Sequence, residues 1–171
     1  MADMHFLSAS DFSKDAPELF QLLYENMMPI SPFSKPYEEE YRLWLAAVSD
    51  GMKAPARKII TVRHSVTGDL LGFLQYYTNA TSLVIEELQT DSRFHGHLSF
   101  LDKLGCFLVS QLPEELRYVE AFVHKENSRS LALQKKLGMT VVGTACDDTL
   151  YHLRGDITGL FHYFPLKGDP Q

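Results

Sequence analysis

The chain has 171 residues, 45% of them apolar, 12% aromatic and 22% charged, which is the composition of one ordinary globular domain with little left over for a second. Its 16 basic and 22 acidic side chains leave a formal charge of −6, which argues against sequence-independent binding to nucleic acid and against a polybasic membrane anchor. A chain of this length buries about 68–70% of the surface it exposes when unfolded and needs no disulfide or metal staple, so Cys106 and Cys146 read as plain core residues.

The opening Met1-Ala2-Asp3-Met4-His5 has no basic region ahead of an apolar one, and no stretch approaches the ~20 apolar residues of a membrane span. A soluble cytoplasmic protein, with no membrane and no nucleic acid among its partners, is the expectation. With no fixed-period repeat and no low-complexity linker, residues 1–171 are expected to form a single domain.

In chain order, His5 to Ala9 reads as a short strand, and from Asp15 the residues Ala16, Leu19, Phe20, Leu23 and Met27 recur at helical spacing. The turn-rich Met28-Pro29-Ile30-Ser31-Pro32 follows. A second helix begins after Pro36, with Glu38, Glu39 and Glu40 suited to its N-terminal dipole and Tyr41, Trp44, Leu45 and Val48 facing inward. Lys58 to His64 and Leu70 to Thr78 are rich in β-branched and aromatic residues around Thr67-Gly68-Asp69, the pattern of two antiparallel strands with a tight connection. Ser82 to Thr90 adds a strand, and about Leu98 to Leu112 a helix with Leu101, Leu104, Leu108 and Leu112 on one face.

Tyr118 to His124 alternates as a strand, and a helix from about Ser128 to Leu137 is capped by Asn127 and closed by Gly138. Val141 to Ala145 and Leu160 to Leu166 complete the reading as strands. This order of elements predicts an α+β domain: a mixed sheet of about seven strands with about four helices.

The segment from Ala121 to Met139, with Glu126-Asn127, Ala132 and Lys136-Leu137-Gly138-Met139, resembles the strand–helix signature V-x-x-E-N-x-x-A-x-x-L-Y-x-K-L-G-F of the GNAT superfamily, the acyl-CoA-dependent N-acetyltransferases. Ile85-Glu86-Glu87-Leu88-Gln89-Thr90-Asp91-Ser92 is similar to that family's I-E-D-L-Y-V-D-P. The resemblance implies a twisted, splayed GNAT sheet and acetyl-CoA as co-substrate. It also implies transfer of an acetyl group to a primary amine of a small molecule or peptide, and a homodimer through the last strands.

By the same resemblance, the fourth-strand residues Leu88, Gln89 and Thr90, the segment His95, Gly96, His97, Leu98, Ser99 and Phe100, and Asn127 hold the cofactor. The physical basis is convergence of backbone N–H groups and a helix dipole on the pyrophosphate. Where the family has R-G-x-G-x-G, this chain keeps only Gly96 and places side chains at Leu98 and Phe100. Gln134 stands where the family often has an acid tyrosine, and an amide is no general acid near neutral pH. These departures motivate the alternative of a catalytically impaired GNAT-fold binding protein.

Glu86 and Glu87 are adjacent on one strand and point to opposite faces, so one is the expected general base; a solvated or ion-paired carboxylate is the plainer role. Asn127 serves equally as a helix cap. His95 and His97 can add positive charge beside the anion site, and they lack the supporting ligands of a metal centre, so no metal is expected.

Overall fold

Alternation of apolar side chains and well-placed caps divide the chain into seven strands and five α-helices in the computed structural model, which describes residues 2–94 and 98–164. The elements are β1 (Ala2–Phe6), α1 (Ala9–Met27), α2 (Tyr37–Gly51), β2 (Arg57–His64), β3 (Leu70–Thr78), β4 (Ser82–Thr90), α3 (Leu98–Val109), β5 (Tyr118–His124), α4 (Ser128–Lys136), β6 (Thr140–Ala145), β7 (Leu150–Asp156) and α5 (Ile157–Tyr163), with a 3-10 turn at Ser92–Phe94 before α3. The sheet runs in the order β1-β2-β3-β4-β5-β7-β6. It is mixed: β4 and β5 are parallel, whereas β1 with β2, β5 with β7 and β6 with β7 are antiparallel.

The chain divides into two compact units, residues 1–76 with 87–95 and residues 77–86 with 96–171. Both β3 and β4 therefore contribute to each unit. The first unit is built around Phe20, which is almost completely buried with Phe12, Ala16, Leu19, Leu23, Val48, Ile59, Leu70 and Phe73. The rings of Tyr37, Tyr41 and Trp44 stand 5.2–5.4 Å from that of Phe20 at tilted angles, a geometry in which aromatic pairs add to their burial energy. At its edge Arg63 donates to Asp15 at 3.0 Å and to Glu18 at 2.9 Å, tying β2 to α1.

In the second unit β5 is paired along its whole length with β7, from Tyr118↔Asp156 to His124↔Leu150. Val119, Ala121 and Val123 alternate into a core shared with Leu83, Leu104, Leu108, Leu153 and Leu160. Asn127 Oδ1 accepts from the Ser130 N–H at 3.0 Å and starts α4. Gly138, at φ +81°, ends it: the Met139 N–H bonds to the Gln134 carbonyl at 3.1 Å, a closure that needs a left-handed residue.

Four sequence expectations are corrected. The span Leu160 to Leu166, read as a strand, is helical through Tyr163, and residues 165 and 166 lie outside the described residues. Asp156 Oδ1 accepts from both the N–H and the hydroxyl of Thr158, and Ile157 and Leu160 are buried at helical spacing. The last strand is instead Leu150–Asp156, where only Leu153 is fully buried and the periodic signal is correspondingly faint. At the other end β1 occupies Ala2–Phe6, not His5 to Ala9, and α1 begins at Ala9 rather than Asp15, because Ser8 Oγ accepts from the Asp11 N–H at 3.1 Å and Pro17 is accommodated inside the helix. Cys146, expected in the core, is exposed in the β6–β7 turn.

Candidate active site

Strand β4 carries the two carboxylates that the sequence singles out, and the pleat sends them to opposite faces. Glu87 lies in the first unit. Its Oε2 accepts from Gln89 Nε2 at 2.9 Å, and Gln89 Oε1 in turn accepts from Asn26 Nδ2 at 3.0 Å. Asn26, in the last turn of α1, also donates to the Thr90 carbonyl at 3.0 Å. The buried Gln89 amide is thus spent on both sides, fixing Glu87 and engaging Asn26, which itself holds a main-chain acceptor of β4. No local pattern announces Asn26, which lies 63 positions before Gln89.

Glu86 falls in the second unit and shares its face with Ser82 and Val84. The parallel register of β4 with β5 runs from Ser82↔Tyr118 to Ile85↔Ala121, although β4 continues to Thr90 and β5 to His124. Glu86 is therefore the first β4 residue past the paired stretch. On the same face, Ser82 Oγ donates to Glu120 Oε1 at 2.6 Å. His152 Nε2 lies 2.7 Å from Glu120 Oε2, and Arg154 Nε stands 3.9 Å from Oε1, outside hydrogen-bond reach. The Arg154 guanidinium sits 3.7 Å from the Tyr118 ring centroid, and the His152 ring stacks on Phe122 at 4.6 Å and 15°.

The electrostatics of this cluster follow from its contacts. Burial pushes the Glu120 carboxyl up, but hydrogen bonds from Ser82 and His152 and the charges of Arg154 and His152 outweigh it and hold the group below the usual glutamate range. An anionic Glu120 obliges His152 Nε2 to be the donor, which leaves the lone pair of a neutral ring on Nδ1. The His152 side chain is 28% exposed and Phe122 is 43% exposed, so this part of the sheet face is open to solvent. Sequence reading missed Glu120, His152 and Arg154 because the residues belong to two strands 32 or more positions apart, one of them unrecognised.

Of the residues that the resemblance assigns to the cofactor, His95, Gly96 and His97 lie outside the described residues, as do the side chains of Leu98 and Ser99. Phe100 is buried in α3, its ring withdrawn from solvent. Asn127 spends its carbonyl on the helix cap. Gln134, at the position of the family tyrosine, is only 3% exposed, and its Oε1 has no hydrogen-bond partner among the described residues. On β7, Tyr151 has the Lys125 ammonium 5.1 Å above its ring, and Lys125 also pairs with Asp148 at 2.8 Å. The turn bearing Asp148 is constrained, with Cys146, Asp147 and Asp148 all at positive φ. Among the described residues no group of three or more His, Cys, Asp and Glu side chains is arranged to hold a metal ion. No described helix is long and apolar enough to cross a membrane.

No protein-family model and no curated protein matches the chain. Solved structures do. An acetyltransferase from Thermus thermophilus superposes with a TM-score of 0.67 at 18% identity, covering 91% of this chain and 97% of its own. A spermidine N-acetyltransferase from Vibrio cholerae, in complex with CoA and spermine, gives 0.63 at 13% identity over 94% and 98%. An aminoglycoside acetyltransferase in complex with coenzyme A gives 0.64 at 14% identity over 95% and 98%. The chain has the fold of the GNAT acetyltransferases.

Proposed function

We propose that this protein transfers an acetyl group from acetyl-CoA to a primary amine of a small molecule or peptide. The observation that carries the reading is a coincidence of motif and element: the Glu126-Asn127 to Gly138 signature takes in the turn after β5, the cap of α4 and its left-handed terminus. Structures of the same fold act on spermidine and on aminoglycosides and have been seen with CoA, which supports an amine acceptor and this donor.

The residues fit such a donor in one testable respect. The pantetheine arm of CoA carries amide N–H groups, and Gln134 Oε1 is a buried acceptor in need of one. The start of α3 supplies main-chain N–H groups and a dipole suited to phosphate, in a segment where His95, Gly96, His97, Leu98, Ser99 and Phe100 are the proposed contacts. Asn127 caps α4 through its Oδ1, and its Nδ2 is the proposed contact with the ligand. In the first unit, Leu88, Gln89 and Thr90 are the proposed β4 contacts. The donor supplies an activated thioester; the protein's part is to hold the amine against it, an effect that in itself is worth several kcal/mol of barrier. Of the two candidate bases we assign Glu86, which follows directly on the paired part of β4 and shares the open face.

Isothermal titration with acetyl-CoA and free CoA, followed by thiol release with a panel of polyamines, aminoglycosides and peptide amines, tests the proposal. Micromolar binding and amine-dependent release of thiol are expected. No binding at millimolar ligand overturns it and favours the binding-protein alternative.

A further inference from the structure

Resting on the acetyl-transfer reading, the geometry points to His152, oriented by Glu120, as the proton acceptor for the incoming amine. Three observations converge on this role. The imidazole is held by a carboxylate at 2.7 Å through Nε2, so the neutral ring presents Nδ1 as a base of fixed direction. Its carboxylate is itself immobilised by Ser82 at 2.6 Å and flanked by Arg154, so it keeps its charge and stabilises the imidazolium when that forms. The ring lies flat on the exposed Phe122. Phe122 is the β5 residue just past Ala121, the last in register with β4, as Glu86 is the residue just past Ile85. On the shared face β5, with Phe122, lies between Glu86 of β4 and His152 of β7, so the two groups border the same side of the sheet.

The chemistry requires such a group. The net reaction takes R–NH3+ and acetyl-S-CoA to R–NH–acetyl, CoA-SH and one proton, so two protons leave nitrogen. His152 takes the first, from the ammonium, which frees the electron pair that forms the C–N bond. As the C–S bond breaks, its electron pair goes to sulfur; Glu86 takes the second proton from nitrogen and passes it, through solvent, to the thiolate, which leaves as CoA-SH with Glu86 again a carboxylate. The proton on His152 then passes to solvent. The other ionisable groups on this face are Tyr118 and His124 on β5, Arg154 and Asp156 on β7, and Glu86 on β4. Asp156 is occupied with Thr158, and the ring Nδ1 of His124 accepts from the Glu126 N–H at 3.2 Å.

The test is the pH profile of kcat/KM for the best amine of the panel, in wild type, His152→Gln and Glu120→Gln, with CoA binding measured alongside. We expect His152→Gln to lose about 10²-fold or more in kcat/KM, within the usual range for a general base, and to lose the acid-side ionisation of the profile while binding CoA as before. Added imidazole should restore part of the rate to His152→Ala, a rescue that a purely structural role does not produce. Should Glu120→Gln fail to fold, Ser82→Ala releases the same carboxylate more gently and should give a smaller loss. An unchanged profile in His152→Gln with active wild type overturns the assignment alone; wild type that binds no acetyl-CoA overturns it together with the acetyl-transfer reading.

Discussion

Asn26 Nδ2 donates to Gln89 Oε1 at 3.0 Å, so the last turn of α1 is fastened to the far end of β4 by two side-chain amides. The same nitrogen bonds the Thr90 carbonyl, and Gln89 passes the constraint on to Glu87. A carboxylate that sequence alone offers as a base is here one end of a three-residue relay.

Asn26→Leu should therefore cost about 1–3 kcal/mol, because it strands the buried Gln89 Oε1 as well as losing bonds of its own. Urea denaturation of Asn26→Leu, Gln89→Leu and the double variant checks this. The double variant should be less destabilised than the sum of the singles, with a coupling of about 0.5–3 kcal/mol. Strict additivity would show that the two amides are not a unit.

Glu120 predicts an acid-dependent share of stability. Its carboxyl is held below the ordinary glutamate value in the folded protein, so its contribution is present above that value and is lost as pH falls through the folded one. Glu120→Gln should cost about 1–3 kcal/mol at neutral pH, consistent with the strength of hydrogen bonds to a charged group. The gap between the two proteins should narrow as pH falls below ~4.3, the unperturbed value. Thermal melts from about pH 3 to about pH 7, a range that brackets that value, read it directly; a constant gap would mean that Glu120 gains nothing from its charge.

Two glycines should fail for different reasons. An added Cβ at Gly105 would meet the Phe164 ring at 2.4 Å, so Gly105→Ala should cost about 1–3 kcal/mol by overpacking, and Phe164→Leu in the same chain should recover part of it. Gly138 has open space around it and a φ of +81°, so Gly138→Ala should cost about 1–2 kcal/mol from backbone strain alone. No change at Phe164 should rescue the second variant. Chemical denaturation of the single and paired variants separates the two mechanisms.

Much of the architecture is legible wherever an element buries one regular face. Tyr118–His124 and Ser82–Thr90 are read to the residue, and α4 is read with both of its ends because Asn127 and Gly138 act locally. The pattern fails where burial is slight or the signal is shared. β7 shows one fully buried side chain, and its turn from β6 uses three non-glycine residues in the left-handed region, so no glycine marks it. Pro17 resembles a helix start and hides the true one at Ser8. At the site, the pleat alone separates Glu86 from Glu87. Their companions Asn26, Glu120 and His152 are gathered by strand order and register, which no short stretch of sequence contains.

The division of β3 and β4 between the two units has a consequence for dissection by genetics. The chain crosses from one unit to the other at Tyr76–Tyr77, at Glu86–Glu87 and again after residue 95, so neither unit is a continuous stretch of gene. A stop codon or deletion that removes one takes half a hairpin from the other. Truncated fragments should therefore be insoluble or unfolded when expressed alone, and the two carboxylates at the second crossing, neighbours by one peptide bond, would be parted from opposite halves of their surroundings by a single cut.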